Sequence, residues 1–220
     1  KFLAVGAVVP WVRAGAGAVA TQSFANTAYG PQALELMAQG LPADETLRRL
    51  VLNDPDRGLR QVGLVDARGG AATFTGEGCF EWAGGITGPG FAIQGNILAG
   101  ARVVEAMAET FSRTEGALAG RLHAALLAGD RAGGDRRGRQ SAALYVAKPA
   151  GGYGGFNDRW LDYRVDDHVD PVARLGELLR LHELYFGHST EDERVRLEGE
   201  TLRILQGLVA RLGYYQGEAH

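Results

Sequence analysis

The densest run of side chains able to do chemistry is Gly129-Asp-Arg-Ala-Gly-Gly134-Asp135-Arg136-Arg137-Gly138-Arg139-Gln140-Ser141. Glycines let backbone amides face an anion, and arginine forks match a carboxylate or phosphate. No Gly-Lys-Ser/Thr is present, so this is not a P-loop. A solvated basic loop is the competing reading; the Gln140 amide and Ser141 hydroxyl leading straight into an apolar strand tilt the balance toward a site. Two further polar clusters stand at strand ends among apolar neighbours: Thr21-Gln22-Ser23 with Asn26, and Gln94-Gly95-Asn96. Gln and Asn are depleted in strands. These therefore either satisfy buried backbone groups or line a pocket, and chemistry alone does not choose.

Three other patterns carry less. Asn157–Asp170 holds five aspartates and His168. Asp166, Asp167 and His168 could ligate a hard cation through oxygen, but the spacing of a calcium loop is absent, and alternating Arg and Asp along a strand gives ion pairs instead. Gly15-Ala-Gly17-Ala-Val-Ala20 fits a dinucleotide fingerprint by letter, yet no helix-forming run follows it. His182-Glu183 lacks the second histidine of a zinc protease, because position 186 is Phe. Neither a metal nor a cofactor is expected.

These side chains need a scaffold, and 33 of the 220 residues are glycine, about twice the ~7% of average usage. Only 7 prolines and no three-residue period exclude collagen, while 45% hydrophobic content and a formal net charge of −3 exclude a disordered chain. The charge balance offers no general attraction to nucleic acid or to an anionic membrane. No apolar run approaches the ~20 residues of a membrane span. The single cysteine, Cys79, rules out an internal disulfide. A cytoplasmic protein that binds a small molecule is expected.

The apolar run 2–9 after Lys1 is short for a signal peptide and reads as a strand, followed by a second over 15–23. Segment 31–52 has helical spacing and is split near Pro42. Residues 60–66 and 71–75 form a hairpin around Ala67-Arg-Gly-Gly70. Strands over 91–98, 140–147 and 160–165 and helices over 101–112 and 117–128 follow. Asp170-Pro171 opens another helix, and Thr190-Glu-Asp-Glu193 reads as a capping box for a last helix over 195–212. Grouped strands and helices imply α+β layers, not a parallel sheet.

Several ordered stretches match one family: Phe2–Trp11, Ala20–Asn26, Tyr29-Gly-Pro31, Gln94–Leu98, Gly133–Ala142 and Asp166-Asp-His168. Over about residues 1–186 the chain resembles the bacterial domain of unknown function 1028. That family is similar in fold to the N-terminal nucleophile (Ntn) hydrolases. The resemblance implies a four-layer αββα sandwich of two antiparallel sheets, with residues 187–220 as a helical C-terminal extension. Family chains usually open with a hairpin upstream of the residue that is Lys1 here, and in Ntn enzymes the first residue of the mature chain supplies the nucleophile. The run Leu205–Glu218 resembles the start of a peptidoglycan-binding module carried by some members.

On that basis the expected activity is hydrolysis of an amide bond in a small polar, carboxylate-bearing substrate. Asn96 and the amides around Thr21 and Gln22 would stabilise an oxyanion. Asp135 and Ser141 would orient the amine or nucleophile, Arg136 or Arg139 would hold a carboxylate, and Asn26, Gln94 and Gln140 would line the pocket. The alternative is a non-catalytic binding or scaffold protein of the same fold, cell-wall associated; in either case a homo-oligomer is expected.

Overall fold

The structure, a computed structural model, describes residues 1–187 and 191–217. It is a mixed α+β protein with antiparallel sheets and six α-helices, and it divides into two units, 1–181 and 182–220.

The first unit is organised by a four-stranded antiparallel sheet in sequence order: β1 (Pro10–Arg13), β2 (Gly17–Gln22), β3 (Gln61–Asp66) and β4 (Ala71–Thr75). Alternation along β2 and β3 sends Val19, Val62 and Leu64 to one face. There they meet helices α1 (Tyr29–Ala38) and α2 (Ala43–Leu52), which bury Tyr29, Ala33, Leu34 and Met37, and Leu47, Leu50 and Val51. Pro42 separates the two helices, as the sequence predicts. Asp66 at the end of β3 accepts hydrogen bonds from the amides of Ala43 (3.0 Å), Arg68 (2.8 Å) and Gly70 (3.0 Å). One carboxylate thus fastens both the start of α2 and the β3–β4 turn.

Hairpin β5 (Gly84–Gly88)–β6 (Phe91–Gly95) packs against β3 and β4. Helix α3 (Arg102–Arg113) packs on that hairpin and on α4 (Leu118–Arg131). A second hairpin, β7 (Ala142–Ala147)–β8 (Arg159–Val165), builds a separate core with α4 and α5 (Pro171–Phe186), including Leu144, Leu161, Val165, Val172 and Leu175. The two hairpins do not merge into one ladder. Ile97, two residues after β6, takes a left-handed φ of 56°, and the chain meets the approach to β7 through the isolated bridge Leu98–Asp135.

Three expectations are corrected. Residues 2–9 are not a strand but a turn with a short 3-10 segment at Val5–Ala7; Gly6 fits against Ala143 and Arg164, and the Ala4 amide bonds the Asp166 carbonyl at 2.9 Å. An apolar run without alternation does not distinguish a strand from a buried turn. Strand β5, three of whose five residues are glycine, has almost no side-chain pattern and escapes the sequence reading. In the second unit the last helix, α6, starts at Gly199 and ends at Arg211, so Val195 lies outside it. Thr190 of the expected capping box lies outside the described residues. Among the described residues no helix is long and apolar enough to cross a membrane.

Close approach predicts opposite outcomes for two helical glycines. A Cβ at Gly30 would fall on the Trp11 ring, so Gly30→Ala should destabilise the protein by about 1–3 kcal/mol. Gly120 in α4 faces open space, and Gly120→Ala should stabilise by about 0.5–1 kcal/mol. Urea unfolding of both variants checks the pair.

Candidate functional site

Gln22, Gln61 and Thr75 are register partners across β2, β3 and β4 and share the face opposite the α1–α2 helices. Gln61 is fully buried. Its Nε2 donates to the Gly95 carbonyl (2.8 Å), Thr75 Oγ1 (2.9 Å) and the Gly84 carbonyl (3.3 Å). Its Oε1 accepts from Gln22 Nε2 (2.9 Å) and Asn96 Nδ2 (3.1 Å). Gln22 Nε2 also lies 3.4 Å from the Gln94 carbonyl. The Gln94 side chain covers Gly63, where any Cβ would collide with it. Of the residues the sequence marks, Gln22 and Asn96 therefore do come together, around a hub that the sequence reading missed, with the Gln94 backbone beside Gln22. Gln61 carries the same signal as the others, a glutamine in a strand.

Beside this ladder the backbone is strained. Ser23 and Phe24 have φ of 57° and 45°, and Ile97, which follows Asn96, has 56°. Left-handed φ is unusual for any non-glycine residue and an outlier for a β-branched one. The amides of Ser23, Phe24 and Ala25 have no partner among the described residues. The Ile97 amide bonds the Phe80 carbonyl at 2.9 Å, and the rings of Phe24 and Phe80, both exposed, sit 6.1 Å apart. The result is a half-buried polar edge with unpaired donors and an aromatic rim.

A buried ion pair anchors the loop that carries those donors. Asp54 Oδ2 accepts from Tyr29 OH (2.8 Å), Arg60 Nε (3.0 Å) and Asn26 Nδ2 (3.1 Å), and Arg60 Nη1 reaches the Phe24 carbonyl at 2.6 Å. Thr21, fully buried, sits on the helix side and donates to the Asn26 carbonyl at 3.3 Å. Burial alone would raise the Asp54 pKa; the bonds from Arg60, Asn26 and Tyr29 outweigh it and hold the carboxyl well below the usual carboxylate range. Burial and the Asp54 charge push the Tyr29 phenol far up. Asn26, Tyr29 and Asp54 also line an open groove of about 760 Å³ between α1 and α2.

Asp135 and Ser141 lie elsewhere, on the turn formed by residues 1–5. Ser141 Oγ donates to the Phe2 carbonyl (2.6 Å) and accepts from the Val5 amide (3.2 Å). Asp135 is bonded by Arg137 Nη2 at 2.7 Å and by the backbone nitrogen of Lys1. Desolvation opposes the shift, but the Arg137 guanidinium holds the Asp135 carboxyl below the usual carboxylate range. Asp135 and Arg139 line a cleft of about 400 Å³ that neither Asn96 nor Ser141 lines. Arg139 is paired to Asp130 at 2.7 Å, whereas Arg136 is exposed with no side-chain partner among the described residues. Gln140 contributes its carbonyl to the His168 amide at 2.8 Å. His168 Nδ1 caps the Asp170 amide at 2.9 Å, and no group of three metal-capable side chains exists among the described residues.

The Asp54 shift sets a pH signature. Its folded pKa lies below the unfolded value of about 3.9, so the stabilisation is complete above that value and is lost as pH falls through it toward the folded pKa. Asp54→Asn should cost about 3 kcal/mol at pH 7, because Arg60 loses its buried partner. It should also flatten the loss of stability below about pH 4; urea titrations of both proteins from pH 3 to 7 check this.

Comparison with known proteins places this arrangement in a family. The crystal structure of protein SPO2555 from Silicibacter pomeroyi, a DUF1028 protein, is similar with a TM-score of 0.75 and 26% sequence identity, covering 90% of this chain and 89% of that one. No curated protein matches the chain. The family of unknown function DUF1028 matches residues 1–175. The chain therefore belongs to the DUF1028 family.

Proposed function

We propose that this protein is an Ntn-type hydrolase that cleaves an amide bond in a small polar substrate, on a fold of the αββα kind. The packing order supports that architecture: α1 and α2, then β1–β4, then the β5–β6 hairpin, then α3. The observation that carries the activity is the pair of left-handed residues Ser23 and Phe24, with amides at Ser23, Phe24 and Ala25 that have no partner among the described residues, directly after Gln22, which shares Gln61 with Asn96. Donors held in place before the reaction are what a developing oxyanion requires, and one such donor is worth about 2.7–4 kcal/mol in known enzymes.

In this reading a hydroxyl or thiol N-terminal to Lys1 attacks the substrate carbonyl and passes its proton to the adjacent α-amine. The negative charge on the carbonyl oxygen of the tetrahedral intermediate falls to the Ser23–Ala25 amides. The amine then returns the proton to the leaving nitrogen as the C–N bond breaks. Asp135 and Ser141 act at one remove, by fixing the 1–5 turn. Water finally cleaves the ester or thioester.

The exposed Ile204, Leu205, Leu208 and Leu212 on and just after α6 favour a second reading, a binding protein of the same fold whose tail engages cell wall or another copy of the chain. One experiment separates the two. Mass spectrometry of the intact mature protein should give Thr, Ser or Cys as its first residue, and substituting it by Ala should lower amide hydrolysis at least about a thousandfold. A mature chain with any other first residue, or undiminished hydrolysis in the Ala variant, refutes the hydrolase reading.

A further inference from the structure

Gln61 sets the polarity of every amide bonded to it. Its side-chain nitrogen faces three oxygens, and two of them, the carbonyls of Gly84 and Gly95, can only accept. Turning the amide over would press oxygen against oxygen in a fully buried place, so the nitrogen points to the hairpin. The Gln61 oxygen must then be met by donors, which fixes the Gln22 and Asn96 nitrogens toward it. Gln22 Oε1 and Asn96 Oδ1 are left without a partner among the described residues and are not buried. A third oxygen, Gln94 Oε1, is buried with no partner among the described residues. The edge therefore offers unmet acceptors.

We infer that the Gln22–Gln61–Asn96 ladder recognises the N–H-bearing end of a ligand, a primary ammonium or primary amide nitrogen, through Gln22 Oε1 and Asn96 Oδ1. This rests on the hydrolase reading only in calling the ligand a substrate; the acceptor polarity follows from the ladder alone. It reverses the role that sequence chemistry gives Asn96, from oxyanion donor to amine acceptor, and replaces a carboxylate-bearing substrate by a donor-bearing one.

Three probes of one chain length test this by NMR titration of the full chain: n-butylammonium, butyltrimethylammonium and butyrate. Only n-butylammonium should shift the side-chain NH2 signals of Gln22, Gln61 and Asn96 saturably. Asn96→Leu and, as a second variant at a less buried link, Gln22→Met should each weaken that response about tenfold, the loss of one hydrogen bond to a charged group. An equal response to butyltrimethylammonium, which has the charge but no N–H, overturns the inference. So does a preference for butyrate, or the absence of a saturable shift at these signals. None of the probes is cleaved, so the result is independent of whether the protein hydrolyses amides.

Discussion

The placement of one buried glutamine governs this molecule. Gln61 meets five polar partners across two layers, its two N–H groups shared among three oxygens, and so ties β2 and β4 of the main sheet to the β5–β6 hairpin. A buried amide left unpaired would cost about 1–3 kcal/mol for each unmet group. Satisfying all of them demands that the hairpin lie close, with Gly84 and Gly95 presenting carbonyls and no side chain between. The glycines of this layer give room to other neighbours: a Cβ at Gly84 would meet the Trp82 ring, one at Gly95 the Leu98 side chain and one at Gly63 the Gln94 amide.

Around that hub the polar residues fall into two mechanical groups. The ladder holds Gln22 and Asn96 from inside the sheet. The Asp54–Arg60 pair, reinforced by Tyr29 and Asn26, holds the Ser23–Asn26 loop from the helix side. Because β2 leads directly into that loop and Gln61 follows Arg60, the two groups share their covalent supports. That coupling lets a short loop keep two left-handed non-glycine residues in succession.

Much of the scaffold is legible in the sequence, for reasons that name its limits. Helical spacing places α1 through α5 to within a few residues, and Ala67–Gly70 reads as the hairpin turn it is. The run 2–9 misleads because uniform apolarity has no period, and β5 escapes because glycine carries no pattern. Among site residues, depletion of Gln and Asn in strands correctly marks Gln22, Gln94 and Asn96 as needing a reason. The convergence of Gln22 and Asn96 on Gln61 depends on strand register, which no local signal records. Asp54 and Arg60 look like ordinary loop charges until burial pairs them. Asp135 and Ser141 were expected beside Asn96, and the chain segments do meet at Leu98–Asp135, but their side chains serve the 1–5 turn.

The ladder depends on the orientation of the Gln61 amide, and hydrogen exchange of its side-chain NH2 protons reports that most directly. Donation to the Gly84 and Gly95 carbonyls predicts exchange slowed to the rate of the core amides of β3, lost only on global unfolding. Side-chain exchange as fast as that of an exposed glutamine would contradict the ladder and the acceptor polarity drawn from it.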